Sequence, residues 1–389
     1  MNILQICPLF PPSPSSFGSG VTNVVYHLSK ELVRRGHKVT VYASAALDTR
    51  RKMDHVINPV IVDGIVVHRF SYIMHHYTSF ITPSIIPYMS KSIKKFDVIH
   101  LHDSRCFQGI IVHYYAKKYN IPYVLQAHGA VLPLFQKERP KKIFDLFFGY
   151  RILSDASKVI ALTEIEAEQY KKMGVDKDKI EIVPNGIDLS EYENLTKRGD
   201  FRRKYNIKDG EKTILYVGRL HKSKGIDLLI NAFADISREL SNAKLVLVGP
   251  NDGYRSALEE LIKALRVNDK VLFTGFVTDD EKMAAFVDAD VFVTPKFSGF
   301  PITFLEACAC GTPIITTNNG DELDWIHDKV GYVVEYDEDQ LRNAIFKVLS
   351  DEGLRIRFGE EGRRLVKNEF EWNTIVEQIL NVYKGVIRA

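Results

Sequence analysis

Short apolar runs and amphipathic helical stretches alternate from one end of this chain to the other, and few folds accommodate that pattern. The run "NILQIC" is followed by a loop, "PLFPPSPSSFGSG", and then by a helix from about Val21 to Arg35. "HKVTVYAS", "FDVIHLHD" and "IPYVLQAHG" read as further strands, the last two separated by the helical "FQGIIVHYYAKKYN". "ASKVIALT" and "IEIVPNG" close this half. Strands alternating with helices predict a parallel sheet covered by helices on both faces. The pattern then restarts after a polar linker around "LSEYENLTKRGD", with strands at "KTILYVGRL", "AKLVLVGP", "KVLFTGF", "DVFVTP" and "TPIITT". The expectation is an α/β protein of two doubly wound domains. The first covers residues 1–185 and the second 186–369, and a final amphipathic helix of about 370–389 crosses back to the first. A length of 389 residues is enough for two sizeable cores.

Composition narrows the function classes. A net charge of +3 is too small to argue for nucleic acid. The four cysteines fit neither a disulfide framework nor a zinc site, because Cys7 and Cys106 stand apart and Cys308 and Cys310 lie two apart on a predicted helix. The start "MNILQICPLFPP" reads as a strand rather than a signal peptide. No stretch approaches the length needed to span a bilayer. A reduced, cytoplasmic setting is expected.

In open parallel sheets, ligands bind beyond the carboxyl ends of the strands. Two such domains facing each other would make a deep cleft, so the residues just after each strand are the ones to read. "YVGRLHKSKG" ends one strand and opens a helix, placing Arg219 and Lys224 beside Gly218 and Gly225. Two cations and a flexible backbone near a helix N-terminus suit a phosphate, although a basic run is also what a solvated turn looks like. "SGFPITFLEACACGTPII" offers a second half of a phosphate cradle. Gly299 lets backbone approach a ligand, and the amides of Phe300, Ile302 and Thr303 come at a helix start, where Pro301 donates nothing. Glu306 lies about one turn inside that helix among apolar residues. An acid there needs a partner or a ligand, and a ribose diol or a lysine or arginine would serve.

The motifs "GRLHKSKGIDLLI", "VPNGID", "ADVFVTP" and "GFPITFLEACACGTPII" resemble those of the retaining, nucleotide-sugar-dependent glycosyltransferases of family 4, which have the GT-B fold. The resemblance continues through "PPSPSSFGSGVTNVVYHLSKELVRRGHKVTVYA", "FDVIHLHD" and "QAHG", and so covers essentially the full length. It implies a set of roles. Arg219 and Lys224 are similar to the pair that holds the donor diphosphate, and Glu306 to the acid on the ribose hydroxyls. Phe300 to Thr303 resemble the loop whose amides meet phosphate or sugar. Gly20 resembles the glycine that packs against the pyrophosphate and acceptor, and His128 the histidine near the reacting carbon. Asn185 and Gly186 resemble the hinge between domains. The implied substrate is a UDP- or GDP-sugar, with no further cofactor and no catalytic metal, and the implied acceptor is a glycan or a lipid-linked sugar.

One position departs from the family pattern. Ser298 stands where a Glu contacts the transferred sugar, and a serine carries no charge near neutral pH. Asp321 and Glu322 lie in the loop after "TPIITT", where either a substitute carboxylate or a solvated loop is expected. No enzyme nucleophile is evident. In such a transfer the leaving diphosphate itself takes the acceptor proton, while Arg219 and Lys224 stabilise its growing charge. Two rivals remain: a silent sugar-nucleotide-binding protein, and a nucleotide-sugar epimerase or hydrolase on the same fold. "DAD" at 288–290 resembles a metal-binding pair but leads into a strand, at the wrong end of the sheet. His100 and His102 share a strand face without further ligands for zinc. Residues 72–95 and 131–148 mix apolar and basic side chains, so they are either helix faces packed on the sheet or a peripheral contact with anionic lipid at the inner membrane face.

Overall fold

The computed structural model describes all residues except 11–19, 48–51, 54–55, 77–78, 134–137, 298, 319, 321–322 and 389. Ser298, Asp321, Glu322 and Lys137 therefore lie outside the described residues. The chain divides into two compact units: residues 1–186 with 372–389, and residues 187–371.

The first unit contains β1 (Asn2–Ile6), β2 (Lys38–Ser44), β3 (Val60–Val62), β4 (Ile65–Phe70), β5 (Met74–His76), β6 (Ser79–Ile81), β7 (Val98–His102), β8 (Tyr123–Gln126), β9 (Lys158–Ala161) and β10 (Ile180–Ile182). Its main sheet runs β10-β9-β8-β7-β1-β2-β4-β3, with every pairing parallel except β3 with β4. The strands β1 and β7 are nearly or wholly buried, as central strands covered by helices on both sides must be. β3 and β4 meet through Asp63 and Gly64, both at positive φ. An Asp-Gly pair between two β-branched runs is a hairpin signal, and the strands it joins are additions to those expected from the alternation. β5 and β6 form a separate two-stranded ribbon.

The helix Trp372–Arg388 belongs to this unit and packs against the helix Gly20–Arg34 and against β7. Trp372, Ile375, Val376, Ile379, Leu380, Tyr383 and Val386 form its buried stripe, at the three-to-four spacing of one helical face. Arg35 ties it down, donating to Glu377 Oε2 and to the Asn373 carbonyl, each at 2.6 Å. Where the chain leaves the unit and returns, Gly186 lies so close to Trp372 that a Cβ would come within 2.7 Å of the indole.

The second unit contains β11 (Lys212–Val217), β12 (Ala243–Val248), β13 (Val271–Gly275), β14 (Val291–Thr294), β15 (Ile314–Thr317) and β16 (Gly331–Val334). Its sheet is wholly parallel, in the order β13-β12-β11-β14-β15-β16. Along β11, Ile214 and Tyr216 enter the core on one face and Leu215 the core on the other. That arrangement explains why the strand reads as a continuous apolar run.

Both sheets have one place where the winding reverses. In the first unit the chain goes from β1 outward to β2 and later resumes on the other side at β7. In the second it goes from β11 to β12 and resumes at β14. The strand ends flanking such a reversal splay apart and leave room for a ligand. Gln5, His100 and the loop after His102 sit at the first reversal; Arg219, Lys224 and the loop leading to Glu306 sit at the second.

Candidate functional site

The second unit builds its candidate site from the ends of β11 and β14. β11 runs into Gly218 and Arg219, and a short 3-10 turn Lys222–Lys224 then leads through Gly225 into the helix Ile226–Glu239. Gly225 adopts φ +66, and a Cβ there would stand 3.3 Å from Pro295, just beyond β14. The close approach brings the Lys224 turn against the β14 loop. Arg219 is largely exposed and is held at 2.7 Å by Asp252. Lys224 is half-buried, and its ammonium is held below the ordinary lysine range, first by burial and then by the charge of Arg219. The two cations thus share a neighbourhood and repel, and an anion between them would relieve both effects.

The β14 side supplies a helix N-terminus. Gly299 turns the chain at φ +67, Pro301 occupies the N-cap, and the helix Ile302–Cys310 begins. Its cap makes no side-chain hydrogen bond and its first turn carries no acid. The amides of Ile302 and Thr303 are therefore not capped by the side chain of Pro301, and no acid of the first turn offsets the positive end of the helix dipole. Phe300 is fixed by stacking on Trp325, with centroids 6.0 Å apart, and by Phe370 at 5.6 Å.

Glu306 is 8% exposed, and Lys282 Nζ lies 2.8 Å from its Oε1. Lys282 comes from the neighbouring helix Asp279–Asp288 and also reaches Asp279 at 3.0 Å. Burial works against the Lys282 charge, but Glu306 and then Asp279 outweigh it and hold the ammonium above its ordinary range. The Tyr192 phenol is pushed well up, by burial first and then by the charge of Glu306. Glu306 thus has the cationic partner that a buried acid needs. The ion pair is made through Oε1, and among the described residues Oε2 is left without a hydrogen-bond or ion-pair partner.

In the first unit, Gly20 is exposed and opens the helix Gly20–Arg34. His128 follows β8 in the left-handed region at φ +54, and Asp103, just after β7, has φ +88. Two non-glycine residues so placed at adjacent strand ends are the kind of backbone strain that a surrounding structure must enforce. The enforcement is visible. Tyr170 Oη accepts from the Ala127 amide at 2.9 Å, and Glu166 accepts from the amides of Gly129 and Leu162. Arg105 donates to the Val131 carbonyl and pairs with buried Asp145 at 2.7 Å. His128 Nε2 is 2.9 Å from His102 Nδ1. Asn185 is buried, and among the described residues its Oδ1 has no hydrogen-bond partner.

The Asp-x-Asp at 288–290 is occupied by structural partners. Asp288 accepts from the amides of Gly199 and Arg202. Asp290 accepts from the Thr213 amide at 2.8 Å and pairs with Arg198, Arg202 and Arg355. All four cysteines are free and buried. The sequence reading missed Lys282, Asp252, Gln5 and Tyr383. Gln5 alone had a visible signal, as a polar residue inside an apolar strand.

The chain is similar to known proteins. Residues 18–191 match the family described as Glycosyltransferase Family 4, and residues 197–365 match that described as Glycosyl transferases group 1. The chain is 31% identical over 373 residues to an uncharacterized glycosyltransferase of Methanocaldococcus jannaschii, covering 92% of each. It is 29% identical to an alpha-monoglucosyldiacylglycerol synthase of Streptococcus pneumoniae, covering 85% of this chain and 75% of the other. The crystal structure of Anabaena HepE in complex with UDP superposes with a TM-score of 0.75 at 17% identity, covering 99% of this chain and 100% of that one. The chain therefore belongs to the family 4 glycosyltransferases, with the GT-B fold of two parallel-sheet α/β domains.

Proposed function

We propose that the protein is a retaining hexosyltransferase that moves a sugar from a UDP- or GDP-sugar to a glycan or lipid-linked acceptor without a catalytic metal. The observation that carries this reading is the meeting of Arg219, the half-buried Lys224 and an uncapped, acid-free helix start at one reversal of winding in the second unit. In this reading the second unit is the donor domain and the first serves the acceptor. Arg219 and Lys224 grip the diphosphate, and the backbone from Gly299 to Thr303 adds amide donors. Glu306 holds the ribose hydroxyls through the oxygen that Lys282 leaves open. Ser298 and His128 are assigned to the transferred sugar, Gly20 to the pyrophosphate and acceptor, and Asn185 with Gly186 to the hinge.

The reaction needs no protein nucleophile. The bond from the sugar's anomeric carbon to the diphosphate breaks. The acceptor oxygen bonds to that carbon on the same face, and its proton passes to the departing diphosphate. Arg219 and Lys224 stabilise the charge that grows on the leaving group. Metal independence is supported by Asp288 and Asp290, whose carboxylates are engaged by arginines and backbone amides.

A lipid-linked acceptor has a separate support. Along the helical segment 138–154, Ile143, Leu146, Phe147, Phe148 and Tyr150 are exposed beside Arg139, Lys141 and Lys142. Apolar side chains flanked by cations suit a peripheral contact with anionic lipid. The related synthase from Streptococcus pneumoniae is named for a diacylglycerol product. Four reduced cysteines fit a cytoplasmic enzyme acting at the inner membrane face. No helix among the described residues is long and apolar enough to cross a membrane.

The test is a panel of UDP- and GDP-sugars, assayed with and without a chelator for binding, slow hydrolysis and transfer. Transfer that preserves the anomeric configuration and survives the chelator supports the reading. Binding without turnover on any acceptor would favour the silent binding protein, and donor turnover that needs no acceptor would favour the epimerase or hydrolase.

A further inference from the structure

His128 does not stand alone. Behind it runs a buried polar chain that crosses from β8 to β7, to β1 and on to the C-terminal helix. His128 Nε2 is 2.9 Å from His102 Nδ1, and His102 Nε2 is 2.7 Å from Gln5 Oε1. Gln5 Nε2 donates to Tyr383 Oη at 3.2 Å, and that oxygen lies 2.7 Å from His100 Nδ1. Gln5, His100, His102 and Tyr383 are fully buried. Strand register assembles the group: His100 lies opposite Gln5 across the β1–β7 pair, and His102 follows on the same face of β7. A slip of one residue would turn both histidines to the other face.

The orientation of the Gln5 amide, with Nε2 toward Tyr383 and Oε1 toward His102, gives the chain a direction. Burial keeps all three imidazoles neutral, with His100 and His128 held near about 3 and His102 well below its ordinary value, so each ring carries a single N–H. Tyr383 Oη accepts from the Gln5 amide, and its own hydrogen has His100 Nδ1 as the acceptor within reach. With Gln5 Nε2 thus engaged, Gln5 Oε1 faces His102 and can only accept. His102 must then carry its proton on Nε2 and offer Nδ1 as a lone pair. His128 fills that lone pair with its own Nε2–H, and its Nδ1 is left without a proton. The nitrogen that is protonated in a histidine is set by what its other nitrogen meets.

We propose that Gln5 and Tyr383 are positioning residues which, through His102, fix His128 in its Nε2–H tautomer and leave a bare Nδ1 to accept a hydrogen bond from a sugar hydroxyl. The last step rests on the assignment of His128 to the transferred sugar; the tautomer itself does not. His128 is half-buried, and no partner for Nδ1 is found among the described residues. The C-terminal helix thereby acts on the chemistry through Tyr383 without touching substrate. Turning the Gln5 amide over would reverse every donor and acceptor and put the proton on His128 Nδ1, so the orientation of that amide decides the tautomer, and Tyr383 enters as the acceptor that Gln5 Nε2 meets in the structure.

The test is nitrogen-15 NMR of the full chain labelled at histidine, at neutral pH and without donor, with His128 identified by its loss in His128→Asn. Protonated and bare ring nitrogens give well-separated signals. The expected result is a neutral His128 protonated at Nε2 alone. Tyr383→Phe keeps the buried ring but removes the hydroxyl, and Gln5→Leu removes the amide. Each should convert the single tautomer into a mixture while circular dichroism shows a folded protein. A wild-type His128 protonated at Nδ1, or folded variants with an unchanged pattern, would overturn the proposal. If neither variant folds, the wild-type tautomer still decides. A protein that shows this tautomer yet binds no nucleotide sugar would sink the proposed function and leave this inference standing.

Discussion

Lys282 Nζ lies 2.8 Å from Glu306 Oε1, so the acid assigned to the ribose is already half of an ion pair in the free protein. The pairing separates two uses of one carboxylate. One oxygen meets the internal cation that makes burial tolerable, and the other is available to a ligand.

Removing the cation should expose the dependence. Lys282→Met leaves Glu306 buried and unpaired, which costs about 3 kcal/mol for a pair of this burial. Urea denaturation should show that loss. The double change Lys282→Met with Glu306→Leu should recover most of the stability. It should still bind nucleotide poorly, because the ribose contact is gone. Glu306→Gln should weaken free nucleotide and sugar nucleotide alike.

Lys224 should behave in the opposite way. Its charge is disfavoured in the free protein, first by burial and then by Arg219. Lys224→Met is expected to leave the melting temperature unchanged or raise it. The same variant, like Arg219→Ala, should lose about 1.5–3 kcal/mol of nucleoside-diphosphate affinity, the worth of a charge-assisted contact. Calorimetry reads the affinity. Wild-type protein at about 100 times Kd should gain about 2.7 kcal/mol of stability from the ligand, and both variants should gain less at the same concentration.

The buried histidines set an acid-side limit. Burial lowers His100 and His102 below the ordinary histidine range, His100 to about 3. As pH falls through about 6.5, the unfolded chain takes up a proton on each ring while the folded chain does not. Stability is therefore full above that pH and declines below it, by up to about 1.4 kcal/mol per pH unit for each wholly buried ring. Denaturation at pH 7, 6 and 5 should show the decline, and His100→Phe should make it shallower by one ring's share.

Gly186 and Trp372 should be coupled. A Cβ at residue 186 would lie 2.7 Å from the indole, so Gly186→Ala overpacks the junction and should cost about 1–3 kcal/mol. Trp372→Leu in the same chain should return part of that loss. A double-mutant cycle measures the coupling, and additive effects would show that the two residues do not share the space.

The apolar segment should be readable by vesicle sedimentation. Leu146→Ser with Phe147→Ser should reduce binding to anionic vesicles. Added salt should weaken the wild-type interaction, because the flanking cations Arg139, Lys141 and Lys142 contribute through screened charge. Equal recovery of wild type with neutral and anionic vesicles would remove the charge from the account.

Much of the architecture was legible in the chain because local periodicity encodes it. A parallel strand buried on both faces has to be apolar throughout, and "KTILYV" says so; a helix on its surface has to repeat its apolar positions at three and four, and the C-terminal stretch does. Arg219, Lys224 and the Gly299–Glu306 stretch were legible for a related reason. They sit in two short stretches that turn from a strand into a helix, the arrangement that the proposed phosphate cradle would use. The Asp63–Gly64 hairpin was not among the expected elements, although its turn residues carried a signal that the strand–helix alternation did not call for.

What the chain alone left open is what depends on residues far apart along it. Lys282 finds Glu306 because two helices lie side by side on one face of the second sheet. Gln5, His100, His102, His128 and Tyr383 come together from two strands, the loop after a third and a helix, and Gln5 and Tyr383 stand 378 positions apart. No local pattern announces such a meeting, because a side chain's own sequence neighbourhood fixes its direction and not its partner. The free energy of a buried ion pair or a buried imidazole is set by that partner and by the loss of water around it, and both exist only once the sheet register and the helix packing are complete.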